Sequence, residues 1–405
     1  MRTLREQGGV VEARRPALLV LGLAFGGFLL LGLTSAQIGV SWPAVRADFG
    51  LPLDALGILL IANTVGNLMG SVLAGRLAAA LGIGSHLLLS NLLGAAGLAG
   101  YALAPAWWVI VACGLLVGWG GGSLVSGLSI YVADHHSVRS MNWLHASFGL
   151  GATLSPLLVT GLLRVGLSWR WGFTAVALAY LALALGITLT RRQWRTPRRA
   201  PGMLAANAAI GLFVTLRRPV VWLSIAIFFV YTGLEMVAGQ WGFSLFTEAR
   251  GVALGTAGAW MSLYWGGVAL GRVALGAIAE RFGVDRLLRM SLLLALVGAL
   301  FVWLRAPALN ALAMPLLGLG LAPIFPSLTS RTAERVGPAH AHNSIGLQTG
   351  FAGLGGALVP ALAGVLAENI TLELIGPFLF GLGVLLLLLY EASLAARQDQ
   401  AVGSG

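Results

Sequence analysis

The sequence predicts an all-α membrane protein of twelve transmembrane helices, arranged as two pseudo-symmetric six-helix bundles. Composition is the first reason. Of the 405 residues, 58% are hydrophobic and 10% charged, against about 25% charged in a soluble domain. Lipid can solvate so apolar an outer face, provided helices satisfy the backbone internally. Windows of apolar residues are the second reason, since a span takes ~20 of them. They fall at 17–42, 54–78, 85–104, 107–132, 141–164 and 169–190, then at 219–246, 255–279, 286–304, 308–330, 343–367 and 372–392. The third is an internal repeat. A shift of 201 places Gly57, Gly66, Gly70, Gly75 and Gly82 on Gly258, Gly267, Gly271, Gly276 and Gly283. The expected organisation is a first bundle over 1–190, a basic linker over 191–218, and a second bundle with a short tail over 219–405.

The first run, followed by Thr34-Ser35-Ala36, looks like a signal peptide with its cleavage site, but it stays apolar to Trp42 and reads as a retained span. Loops as short as Ala104-Pro105-Ala106 make neighbouring spans antiparallel. Trp42, Trp107, Trp108, Trp169 and Trp171 lie near span ends, where tryptophan anchors at the membrane–water interface. Gly114, Gly118 and Gly122 recur every fourth residue inside span 4 and read as close helix packing. In the linker, five arginines surround Pro197 and Pro201, and residues 203–216 are apolar enough for a short helix on the inner leaflet.

The net charge of +11 comes from arginine alone, and its distribution excludes a nucleic-acid surface: the arginines sit between apolar runs, with no aromatic-interleaved stripe. With both termini cytoplasmic, 19 of the 25 arginines lie on the inner side, the bias that orients membrane proteins. The lack of lysine and abundance of Ala, Gly, Leu and Arg suggest bacterial coding, so a multi-pass protein of the bacterial inner membrane is expected. Cys113 is the only cysteine, so no intramolecular disulfide can form. Asp134, His135 and His136 read as a solvated loop rather than a metal site. No His-Glu-x-x-His, Gly-x-Ser-x-Gly or nucleotide loop occurs. The reading is therefore no enzyme, no cofactor and no metal.

Polar side chains within spans face the bundle interior or a cavity. By helical period, Thr34, Gln37 and Ser41 share a face of span 1, Asn63 and Asn67 one of span 2, and Tyr231 and Glu235 one of span 7. Glu235 is the only carboxylate deep within a span, which makes it the candidate proton carrier; a fixed structural acid is the alternative. Candidate substrate-binding residues are Gln37, Asn63, Asn67, Trp119, His145, Tyr231, Glu235, Trp241, Tyr264, Trp265 and Gln348. Inner-gate candidates are Arg272, Glu280 and Arg281. Counting 1.5 Å per residue separates Glu235 from Arg272 by roughly 10 Å along the normal, which disfavours a direct pair in at least one conformation. Arg272 is then either a gate or substrate-anion contact, or a side chain snorkelling to the inner surface.

Gly276-Ala277-Ile278-Ala279-Glu280-Arg281-Phe282-Gly283 resembles the loop pattern Gly-x-x-x-Asp/Glu-Arg-x-Gly of the major facilitator superfamily. The first-half copy keeps Gly75 and Gly82 but has Ala79 and Ala80 in place of the charges. The resemblance implies the two-bundle fold, alternating access, and a Glu280 latch onto a helix N-terminus of the other half. Asn142 to Gly151, Tyr231 to Trp241 and Ala322 to Ser327 are similar to the fucose permease-like branch, which implies proton-coupled import of a sugar. That branch's acidic positions hold Gly39 and Val125 here, and its span 4 asparagine is Ser129. The expected function is a monomeric secondary transporter whose partners are a small neutral polar solute, the lipid bilayer and protons. An efflux carrier or flippase for amphipathic molecules is the alternative, and a non-transporting receptor or scaffold the alternative from another class.

Overall fold

The computed structural model describes residues 18–194 and 211–402, with the side chains at 138, 275–282, 307 and 397–402 outside that description. Twelve long helices run through it: α1 (Leu18–Phe49), α2 (Ala55–Leu81), α3 (Ile83–Leu103), α4 (Trp107–His135), α5 (Val138–Arg164) and α6 (Arg170–Leu189). The second half holds α7 (Pro219–Ser244), α8 (Leu254–Phe282), α9 (Val284–Trp303), α10 (Pro307–Leu321, resuming as Ile324–Ser330), α11 (Pro338–Asn369) and α12 (Ile375–Val402). Among the described residues, eleven are long and apolar enough to cross a membrane; α8, 29 residues long, is the twelfth. An even number of crossings puts the start of α1 and the end of α12 on one side, called here the terminal side, opposite the far side.

The repeat is one of contacts as well as of sequence. Gly118 of α4 packs against the Asn63 carbonyl of α2, and Gly318 of α10 against the Tyr264 carbonyl of α8. Gly57 faces Ala361 across the junction of the halves, and Gly258 faces Thr160. The turns after α2 and α8 both pivot on a left-handed glycine, Gly82 at φ +78° and Gly283 at φ +80°, where a side chain would strain the backbone.

Each half is tied at its far side by an arginine. Arg170 donates to the carbonyls of Ala102 and Ala104 at the end of α3 and to Asp48 at the end of α1. In the second half Arg250 donates to Val302 O at the end of α9, to Asn310, and twice to Glu373 just before α12. The signs are exchanged between the halves: the carboxylate sits in the last turn of the first helix in one and precedes the last helix in the other.

One expectation changes. α1 runs on through Pro43 to Phe49, because a membrane helix tolerates an interior proline, whereas apolarity falls off before Arg46 and Asp48. The linker helix expected over 203–216 falls mainly outside the described residues, and Leu212–Leu216 is one short turn.

Candidate functional site

A cavity of about 230 Å³ opens where the halves meet. That is room for roughly eight waters at the ~30 Å³ each takes in the liquid. The first half supplies most of its polar lining: Thr34 and Ser35 from α1, Asn63, Thr64 and Asn67 from α2, Tyr101 from α3 and Tyr180 from α6. The second half adds Met236, Gln240 and Gly356. Among the described residues no charged side chain lines it. Glycines set these positions. Gly66 and Gly118 let α2 and α4 touch backbone to backbone, which places Asn63 and Asn67 on the wall.

Beside this neutral site, the second half holds a buried charged cluster. Arg272 Nη2 donates to Glu235 Oε1 at 2.9 Å, and the Tyr231 hydroxyl donates to the same oxygen at 3.0 Å. The Tyr264 hydroxyl donates to the Glu235 carbonyl at 2.7 Å. The Glu235 side chain is 6% exposed and that of Arg272 34%. The pairing corrects the sequence reading: Arg272 turns inward to Glu235 instead of snorkelling outward. Counting rise locates the Cα atoms only, and the long arginine side chain closes the gap along the normal. Under the 201-residue shift, Glu235, Tyr264 and Arg272 correspond to Thr34, Asn63 and Ser71. Two of these first-half counterparts line the neutral cavity.

The remaining candidates scatter. Gln37 is fully buried, packs toward Gly172 of α6, and leaves both amide atoms unpartnered; it does not line the cavity. The Trp119 indole lies against Gly70. Trp241 donates to Pro360 O at 2.9 Å, tying α7 to α11. Trp265 packs on Gly239 and, at 5.0 Å, edge-on to Tyr264. Gln348 donates to Ser224 Oγ at 2.6 Å and accepts from Thr332 at 3.0 Å, so its amide is used within the second half. His145 meets Phe28 edge to face at 5.2 Å on the terminal side of α5. Glu280 and Arg281 lie outside the described side chains. The sequence reading gives no role to Gln240, Tyr101 or Tyr180. Gln240 had a signal, being a polar side chain deep within a span, whereas the two tyrosines reach the cavity only through tertiary packing.

Among the described residues, two polar contacts join the halves at the far side. Arg46 Nη2 meets Glu248 Oε1 at 2.7 Å, and Leu53 N donates to Glu368 Oε2 at 2.6 Å at the start of α2. On the terminal side a Cβ added at Gly75, Gly346 or Gly350 would meet nothing within 4 Å. The Arg46–Glu248 pair is 29% and 26% exposed and contributes no more than about 1 kcal/mol, but it bridges the two halves. Arg46→Glu, which sets two carboxylates face to face, should lengthen spin-label distances across the far ends. Unchanged distances would show that helix packing alone holds that side shut. In the loop on the terminal side, burial and the neighbouring His135 hold the His136 imidazole below its ordinary value.

Comparison with known proteins fits this architecture. The chain is 25% identical over 391 residues to Bypass of stop codon protein 6 of Saccharomyces cerevisiae, covering 86% of this chain and 77% of the yeast protein. It is 23% identical over 354 residues to the Glucose/mannose transporter GlcP of Bacillus subtilis, covering 85% and 86%. The crystal structure of a point mutant of the nucleoside transporter NupG superposes with a TM-score of 0.79 at 15% identity, covering 93% of this chain and 99% of that one. The sequence profile of the Major Facilitator Superfamily matches residues 23–360 and again 223–401, so this chain, a multi-pass membrane transporter and not an enzyme, belongs to that superfamily.

Proposed function

We propose that the chain is a secondary carrier for a small neutral hydroxylated solute of the sugar type, working by alternating access. The observation that supports this most is the cavity at the junction of the halves, whose polar lining among the described residues is hydroxyls and amides without a charge. A few convergent polar groups in a mostly apolar pocket fix a ligand's orientation. The named substrates of GlcP and NupG, sugars and a nucleoside class, are of this chemical kind. In this reading the halves divide the work. Thr34, Asn63 and Asn67 of the first half hold the solute, while Glu235 and Arg272 at matching places of the second respond to protons. The terminal side is the cytoplasmic one, where arginine is in excess, and the membrane is the bacterial inner membrane.

Counterflow of labelled monosaccharides and nucleosides in proteoliposomes tests the substrate class; Asn63→Ala and Asn67→Ala should weaken exchange at least tenfold. Exchange of neither class would remove the solute assignment. Glu235→Gln should abolish accumulation driven by a pH gradient while leaving counterflow intact. Accumulation unchanged in that variant would take Glu235 out of coupling.

A further inference from the structure

A second cavity, of about 620 Å³, opens on the terminal side between the start of α3 and the end of α6, well apart from the solute site. Arg191, Arg192 and Ser85 face it, and no carboxylate among the described residues lines it. The turn carrying the arginines is firmly held. Arg191 Nη2 donates to Ser85 Oγ at 2.6 Å, and Trp194 Nε1 donates to Thr190 Oγ1 at 2.9 Å. The Trp194 ring, 3% exposed, packs on Tyr131 at 4.7 Å between centroids. Beside the cavity, Leu81 is 48% and Leu189 78% exposed on the outer surface of the helices.

The repeat supplies the comparison that gives this cavity meaning. α9 and α12 are the second-half counterparts of α3 and α6. Their terminal ends are joined by Arg289, which donates to both oxygens of Glu391 at 2.6 and 2.7 Å. Glu391 corresponds to Thr190 under the 201-residue shift. Thus the second half neutralises its arginine with a carboxylate of its own, and the first half presents two arginines without one among the described residues lining the cavity.

We propose that the phosphate of an anionic phospholipid headgroup occupies the cavity between α3 and α6, held by Arg191, Arg192 and the Ser85 hydroxyl, and serves the first half as Glu391 serves the second. Arginine's planar fork matches phosphate oxygens in pairs. Basic pockets between transmembrane helices on the cytoplasmic side bind such headgroups. The exposed leucines lie where the acyl chains continue.

The test uses the full-length protein in nanodiscs of phosphatidylcholine with and without phosphatidylglycerol, read by native mass spectrometry for retained lipid and by thermal unfolding. Wild type should retain one phosphatidylglycerol and unfold at a higher temperature with it. Arg191→Ala/Arg192→Ala should weaken retention roughly 25-fold, at about fivefold per arginine. Ser85→Glu, which brings a carboxylate beside Arg191, should remove the dependence of the unfolding temperature on phosphatidylglycerol while leaving the fold intact. Arg139→Gln, a change elsewhere on the same side, should alter neither. An equal loss in Arg139→Gln would mean general attraction of a basic surface, and equal retention in the double variant would mean another site; either overturns the proposal. Stabilisation by inorganic phosphate alone, in phosphatidylcholine and dependent on the same arginines, would assign the pocket to a free anion and overturn the lipid.

Discussion

Arg272→Ala should destabilise the protein more than Glu235→Gln, although both remove the same ion pair. Truncating the arginine leaves a carboxylate that is 6% exposed with Tyr231 as its one remaining side-chain donor. Removing one member of a fully buried pair costs about 3–5 kcal/mol. Because Arg272 is 34% exposed, solvent already screens the pair and ~2–3 kcal/mol is the appropriate range. Glu235→Gln keeps an acceptor for Tyr231 and leaves Arg272 a path to water, so ~1 kcal/mol follows. The double variant Arg272→Met/Glu235→Gln should recover most of the loss. Thermal unfolding in one detergent across the three variants checks this. Equal costs for the two single changes would mean that the charges are better solvated than their burial implies.

Gly118→Ala should harm both folding and transport. The added Cβ meets the carbonyl of Asn63 and the Asn67 amide nitrogen of the facing helix. These are backbone atoms and cannot rotate away, so α2 and α4 must part. Overpacking of this kind costs about 1–3 kcal/mol. The shift also carries Asn63 and Asn67 away from the cavity, so solute affinity should fall together with stability. Gly318→Ala, its counterpart against Tyr264 O, should cost similar stability and act on the Tyr264 contact to Glu235 instead. Separate effects, affinity from one and coupling from the other, would support the division of work between the halves. Identical effects on both would argue against it.

What was legible in the sequence depended on whether the signal lay along one helix or between two. The repeat was legible because the same glycines must meet the same backbone in each half, as Gly66 does against Leu115 O and Gly267 against Pro315 O. Glu235 stood out because a carboxylate deep in a span is costly and therefore rare. Its partner was misjudged because rise per residue locates Cα atoms and says nothing of how far an arginine reaches. Gln348 and Trp241 were expected at the solute. A helical face predicts burial, however, and not which neighbour offers Ser224 Oγ or Pro360 O to satisfy the polar atom. Tyr101 and Tyr180 gave no signal, since only the packing of α3 and α6 brings them to the cavity. The latch expected at Glu280 lies outside the described side chains.

The arginines that tie each half at its far side have a mechanical consequence. Arg170 makes three hydrogen bonds and Arg250 four, all within their own halves. Across the seam Arg46 makes one, to Glu248, and Glu368 accepts one. Polar cohesion at that surface is thus several times denser inside each half than between them. A load pulling the far ends apart finds its line of least resistance at the boundary, and two stiff shells separate there before either one frays. The sites of fracture and of stiffness are laid down by where each arginine spends its donors.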